Sequence, residues 1–261
     1  MDYTSNYNVK AVRFSDGSEQ LKTYSIPIRY NVKRETVAKK KVCNSIKEAQ
    51  YYERKSIQSS NSRAKSRVYL LARENVNQFV YFVTLTFNPS KVDSYNYDEV
   101  VKHLSCWLSN IRKRIPDLAY IAVPERHRSG RFHFHLLTSD ISKILVDSGK
   151  TKNGKKIFNV SAYRLGFSTA SLIENPDRCC TYLTKYLTKD LIEKTKNKKR
   201  YWYSRNLKNP KIETSYIEPK FLKSYQDSLE QKSSWKKTLE YELSENKQVI
   251  NIYELKDVEC N

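Results

Sequence analysis

The chain has 261 residues, with 48 Lys and Arg against 28 Asp and Glu, a formal charge of +20. That length suits one enlarged domain, or one core domain with terminal additions, and is enough to bury a core. The charge calls for a polyanionic partner. Nucleic acid leads, because 20 tyrosines give the chain many rings that can stack on bases. No run of about 18 apolar residues occurs, and no charged-then-apolar pattern opens the chain, so neither a membrane span nor export is expected and the location should be cytoplasmic. The five cysteines, Cys43, Cys106, Cys179, Cys180 and Cys260, are odd in number and lack metal-type spacing, which predicts reduced thiols.

In chain order, residues 1 to about 35 alternate polar and apolar around Asp16-Gly17, and Lys10 to Phe14 with Leu21 to Ile28 fit a hairpin. A basic segment follows from Arg34 to about Asn75. Its helical pattern is strongest from Arg63 to Arg73, where Val68, Leu70 and Leu71 supply an apolar face. The core then starts sharply at Phe79 to Phe87, a β-branched and aromatic strand stopped by Asn88-Pro89. Residues 97 to 114 form an amphipathic helix with Val100, Val101, Leu104, Trp107, Leu108 and Ile111 on one side and a basic last turn.

Leu118 to Glu125 and Arg131 to Leu137 make a second hairpin through Ser129-Gly130. A loop rich in Lys and Gly is expected over 148 to 156, a strand region over Phe158 to Ile173, and a helix from about Pro176 to Ile192. Gly149-Lys150-Thr151 looks like the end of a phosphate-binding loop, but the position requiring the first glycine is Ile144, so neither an ATPase motor nor a nucleotide cofactor is expected. The tail from Ile212 is polar and charged, with Val249 to Leu255 as one closing strand. Hairpin connections mixed with helices favour an α+β fold, an antiparallel sheet with helices on one face. The expected organisation is a basic extension over 1–75, a core over 76–211 and a C-terminal extension over 212–261.

His133-Phe-His135 sits in an otherwise apolar strand. Side chains alternate faces there, so both imidazoles project together while Phe132, Phe134 and Leu136 pack behind them. With the turn centred near Ser129, residue 125 falls opposite residue 133, on the same face and roughly 5 Å away. Glu125 is therefore the natural third ligand. His127 competes for that role but lies nearer the turn, and His103 is expected at the surface. A site of two imidazoles and one carboxylate leaves positions open for a phosphate oxygen. Such a site favours a divalent metal, Mg²⁺ or Mn²⁺, although imidazoles also suit Zn²⁺.

Thr181 to Asp190 contains Tyr-Leu-Thr-Lys twice. On a helix, residues four apart share a face, so Tyr182 and Tyr186 form one row and Lys185 and Lys189 another. A phenol attacking a phosphodiester gives a phosphotyrosine ester whose energy permits rejoining, and a nearby Lys would counter the developing charge. The same pattern also fits a Tyr and Leu core stripe with solvated lysines. Residues 194 to 211 interleave cations, among them Lys199, Arg200 and Arg205, with Tyr201, Trp202 and Tyr203. That segment can pair phosphates while stacking bases, or it is a solvated loop with rings tucked against the core.

Three of these motifs, in this order, resemble the HUH endonuclease superfamily, and within it the rolling-circle replication initiators of plasmids and single-stranded DNA phages. Phe82-Val-Thr-Leu-Thr-Phe87 looks like the first motif, Arg131-Phe-His-Phe-His-Leu136 like the metal motif, and Tyr182 to Lys189 like the tyrosine motif. The similarity covers about residues 79 to 210. In conjugative relaxases the tyrosines usually come before the histidines, which argues against that branch.

The resemblance implies a ferredoxin-like or RRM-like sheet with the tyrosine helix across its metal-bearing face. It implies Tyr182 and Tyr186 as paired nucleophiles assisted by Lys185, with Glu125, His133 and His135 holding the metal. The implied activity is nicking of a single-stranded or extruded origin hairpin, leaving a 5′-phosphotyrosyl link and a free 3′-hydroxyl, in a bacterial or phage-infected cell. Lys189, Lys199, Arg200, Trp202 and Arg205 are the expected DNA contacts. No helicase segment follows, so a host helicase and polymerase are the expected partners. Two other readings stand beside this one, a noncatalytic origin- or RNA-binding module and a transposase of the same superfamily.

Overall fold

The computed structural model describes residues 6–29, 45–242 and 246–256. The chain divides into two compact units, one of residues 1–42 with 210–261 and the other of residues 43–209.

The first unit joins the two ends of the sequence in one antiparallel sheet. β1 (Asn6–Arg13) and β2 (Glu19–Arg29) are the expected hairpin, closed by Gly17 at φ 82° and by Ser18 N–H donating to Asp16 at 3.1 Å. The strand expected near the C-terminus appears as Lys247–Leu255, paired to β2 and to Trp235–Glu242, while Lys211–Ser215 pairs with β1. The helix Pro219–Lys232 lays Leu229 on Val9, Leu21 and Tyr253.

In the second unit, α1 (Ile46–Glu74) is capped by Ser45, whose hydroxyl accepts from Glu48 N–H at 3.2 Å. The seven-stranded sheet contains β3 (Tyr81–Thr86), β4 (Tyr120–Arg126), β5 (Phe132–Thr138), β6 (Leu145–Lys152), β7 (Lys155–Val160), β8 (Ser168–Leu172) and β9 (Trp202–Tyr203). Its order is β6-β7-β8-β3-β5-β4-β9, with every pairing antiparallel. The segment 148–156, expected as a loop, is instead paired as the β6–β7 hairpin. Asn153 and Gly154 both take positive φ, 51° and 76°, the signature of a tight two-residue turn that favours Asn-Gly.

α2 (Tyr97–Arg114) has the expected bounds because both ends are chemically marked. Asn96 accepts from the N–H groups of Asp98 and Glu99, and Arg112, Lys113 and Arg114 fill the last turn, complementing the helix dipole. Tyr97 meets Phe132 edge to face at 5.0 Å, so α2 covers the side of the sheet that carries Phe132, Phe134 and Leu136.

The single helix expected over 176 to 192 is two helices, α3 (Pro176–Lys185) and α4 (Lys189–Lys194). Thr188 takes an extended conformation and its hydroxyl caps Leu191 N–H at 3.1 Å, which ends one helix and starts the next. α1 packs over α3 and α4, tied by Arg73 to Asp177 at 3.6 Å and by Arg200 to Ser60 at 2.9 Å. Helices therefore cover both faces of the sheet. Cys106, Cys179 and Cys180 are free thiols, while Cys43 and Cys260 lie outside the described residues. Among the described residues no helix is long and apolar enough to cross a membrane.

Candidate metal centre and tyrosine pair

The β4–β5 hairpin sets Glu125 directly opposite His133, the register expected from the turn. The turn depends on Gly130, whose φ of 90° is costly for a residue with a side chain; an added Cβ would also lie 3.2 Å from Arg126 and 3.3 Å from Tyr95. Glu125 Oε2 lies 2.7 Å from His133 Nε2 and 2.7 Å from His135 Nε2. The three ligand atoms fall within 4.8 Å of one another, the spacing of groups that could share a metal ion. His127 is not in this cluster. Its Nδ1 turns to the Ser129 hydroxyl at 3.1 Å, and its ring centre is 6.1 Å from that of His133.

The electrostatics suit cation binding. Burial pushes the Glu125 carboxyl up, but hydrogen bonds and attraction from the two imidazoles outweigh it and hold the group at about 2. Burial lowers His135, so its ring favours the neutral form with a lone pair to donate. On the other side of that ring, Nδ1 lies 3.1 Å from the Thr84 hydroxyl, which pairs across β3–β5 in register with His135. When Nε2 faces a metal, Nδ1 carries the proton and donates to Thr84, fixing the tautomer and the ring plane.

The residues present therefore fit a divalent cation: three deprotonated donors on two paired strands, and an outer partner that orients one of them. Thr84 and Phe82 received no role from the sequence, although both stood in the motif-like strand. Period-two alternation along β3 places them on the His135 face. That signal was available once β3 was known to neighbour β5.

Both tyrosines reach the metal face. Tyr186 stacks on His135 with ring centres 3.6 Å apart and planes 17° from parallel. Tyr182 stands edge-on to Tyr186 at 5.3 Å and is 44% exposed. Phe82 supports both, with ring centres at 5.6 Å from Tyr182 and 6.3 Å from Tyr186. The spacing of four survives the helix break because Tyr186 is the C-cap of α3 and keeps helical angles. Burial, then Tyr182 and Glu125, push the Tyr186 phenol well above its ordinary value.

Lys185 holds its ammonium 5.1 Å from the Tyr182 ring centre. The second row expected from the repeat, Lys185 with Lys189, is interrupted at Thr188, and the Lys189 side chain lies outside what is described. Arg126, next to Glu125, reaches Asp190 of α4 at 3.2 Å and so ties the hairpin to the segment after the tyrosines.

Residues 80–191 match a family model described as Replication-associated protein, of the ORF2 type. That is a family of rolling-circle replication initiators, and the match supports a Rep-type core. The matched span runs from β3 into α4 and holds Glu125, His133, His135, Tyr182, Lys185 and Tyr186, but it is less than half of the chain. No curated protein and no solved structure matches the chain.

The remaining expected DNA contacts lie beyond the matched span and divide by environment. Trp202 is buried against Phe134 with ring centres 5.6 Å apart, so its ring serves the core and offers no face to a base. Arg200 spends its guanidinium on Thr195, Ser60 and the Ile192 carbonyl, where it closes the end of α4. Lys199 and Arg205 are exposed. They line an open pocket of about 500 Å³ with Lys198, Tyr201 and Tyr203, the two tyrosine rings lying 6.2 Å apart and 18° from parallel.

Proposed function

We propose that this chain is a replication initiator that nicks single-stranded DNA at a rolling-circle origin and later rejoins the strands. The observation that carries the proposal is the stacking of Tyr186 on a metal-type ligand, His135, with Tyr182 beside it at the solvent edge. A divalent cation, Mg²⁺ or Mn²⁺, held by Glu125, His133 and His135 would draw charge from a non-bridging oxygen of the scissile phosphate.

The phenolic oxygen of a tyrosine attacks phosphorus and gives up its proton to solvent. The bond from phosphorus to the 3′-oxygen breaks, and that oxygen takes a proton to become a free 3′-hydroxyl. The 5′-phosphate remains esterified to the tyrosine. Attack by a 3′-hydroxyl on that ester reverses the step and seals DNA. Tyr182 is the more accessible nucleophile, with Lys185 beside it to counter charge at the phosphate, and Tyr186 is the second. Lys199 and Arg205 would hold backbone phosphates while Tyr201 and Tyr203 replace Trp202 as the stacking surface. Origin hairpin, host helicase and polymerase complete the expected partners.

The test is a covalent adduct. Origin-bearing single strands are incubated with the protein and Mn²⁺, then run on a denaturing gel. An adduct is expected with the wild type and is lost on chelation or in the Tyr182→Phe, Tyr186→Phe double variant. An adduct that persists in the double variant rules out this chemistry.

A further inference from the structure

We propose that the β6–β7 hairpin is a duplex-DNA finger, which carries the protein beyond single-strand chemistry to recognition of double-stranded DNA. β7 pairs with β8 only at Phe158 and Ala170, yet β6 and β7 stay paired through Lys150 and Ile157, Thr151 and Lys156, and Lys152 and Lys155. The four residues from Phe158 to the Gly154 turn thus extend as a free two-stranded ribbon of about 14 Å, at about 3.4 Å per residue. A B-form major groove is about 8.5 Å deep and admits such a ribbon. The ribbon is stiff at both ends, with the positive-φ Asn153-Gly154 turn at its tip and a bulge at Ser148-Gly149 where it leaves the sheet.

Its charge is one-sided. Phe158 meets Tyr81 at 6.4 Å on the α2 side of the sheet, so alternation puts Lys155, and Lys150 and Lys152 paired with that row, on the side that carries Glu125, His133 and His135. Lys152 stands directly opposite Lys155, an arrangement that destabilises a bare hairpin and that a polyanion relieves. The acids at hand are Glu174, 2.6 Å from Lys155, and Asp147, 3.7 Å from Lys156 on the opposite row. Both are exposed and leave the Lys150 to Lys155 row in excess.

β7 is three strand spacings from β5, about 14 Å, so a duplex on the finger would lie within one helical turn of a strand held at the metal face. Only that placement rests on the function proposed above.

The experiment measures binding of the full chain to a short duplex of arbitrary sequence and to a single strand of equal length, across a salt series. In the Lys150→Gln, Lys152→Gln, Lys155→Gln triple variant, duplex affinity is expected to fall about tenfold or more at about 0.1 M salt, with the slope against log salt shallower by roughly 2 to 3. Single-strand affinity and single-strand nicking should hold. The matching Lys→Arg triple variant should retain duplex binding. Unchanged duplex binding in the Gln variant overturns the proposal, as does an equal loss on both probes or an Arg variant as weak as the Gln one. Failure of the wild type to nick single strands would sink the proposed function and leave the duplex measurement standing.

Discussion

Thr84 offers a perturbation whose size follows from geometry. Its hydroxyl lies 3.1 Å from His135 Nδ1 in a half-buried position, so Thr84→Val removes one hydrogen bond while keeping shape and a β-branched side chain suited to a strand. A hydrogen bond of this kind contributes about 1 kcal/mol. Loss of an outer partner that orients a metal-ligating histidine weakens metal binding about 10- to 100-fold, or roughly 1.4 to 2.7 kcal/mol. The lower end is the expected loss, about tenfold, because Glu125 still fixes His135 through Nε2 at 2.7 Å. Calorimetric titration with Mn²⁺ measures it directly, with Thr84→Ser as the variant that should restore wild-type affinity. Stability in urea should change by less than about 0.5 kcal/mol. Wild-type Mn²⁺ affinity in Thr84→Val would refute the argument that this hydroxyl orients the site.

Three further outcomes are expected. Gly166→Ala should destabilise the second unit by at least about 1–3 kcal/mol in urea denaturation, because the new Cβ would lie 2.1 Å from the Thr86 carbonyl and 2.7 Å from Asn88 N, with backbone on both sides and little room to yield. In metal-free protein, stability should decline as pH falls below about 6.5, since His135 is depressed by burial and the unfolded chain takes up that proton first; the Glu125 contribution, present above the ordinary 4.5, is lost only as pH approaches about 2. A His135→Gln variant with an undiminished slope near neutral pH would show that another group is responsible. Trp202→Ala should cost about 3–5 kcal/mol of stability as a core deletion, whereas Tyr203→Ala should leave stability nearly intact and weaken single-strand binding by about 1–3 kcal/mol; the reverse pattern would return Trp202 to the DNA surface.

The sequence was most legible where several signals coincide in a short span. Asn96, the acids after it, the apolar row to Ile111 and the basic last turn all mark the same helix, and α2 has those bounds. The His-Phe-His strand and its turn fixed Glu125 as partner because a hairpin register is a local quantity. The union of both chain ends in one sheet was not legible, because pairing β1 with Lys211–Ser215 and β2 with Lys247–Leu255 joins segments far apart in sequence. Thr188 was read as a repeat unit rather than a cap, and that hid the break after α3. Trp202 looked like Tyr201 and Tyr203 by composition; only the pairing of β9 with β4 turns it inward.

The two halves of the candidate site meet in one ring. His135 is touched by Thr84 at Nδ1, by Glu125 at Nε2 and by Tyr186 on its face, so a change at any of the three is transmitted to the others through a side chain only 6% exposed. A Tyr186 ring that leaves its stack to meet a phosphate uncovers His135, while Tyr182 can engage without doing so, since its contacts are with Phe82, Tyr186 and Lys185. The chemically similar tyrosines are thus unequal in mechanics. Tyr182→Phe should abolish most first-strand adduct and leave Mn²⁺ affinity unchanged, whereas Tyr186→Ala should alter Mn²⁺ affinity as well as the adduct. Equal Mn²⁺ affinity in both variants would mean that the stack on His135 is a packing contact with no hold on the metal centre.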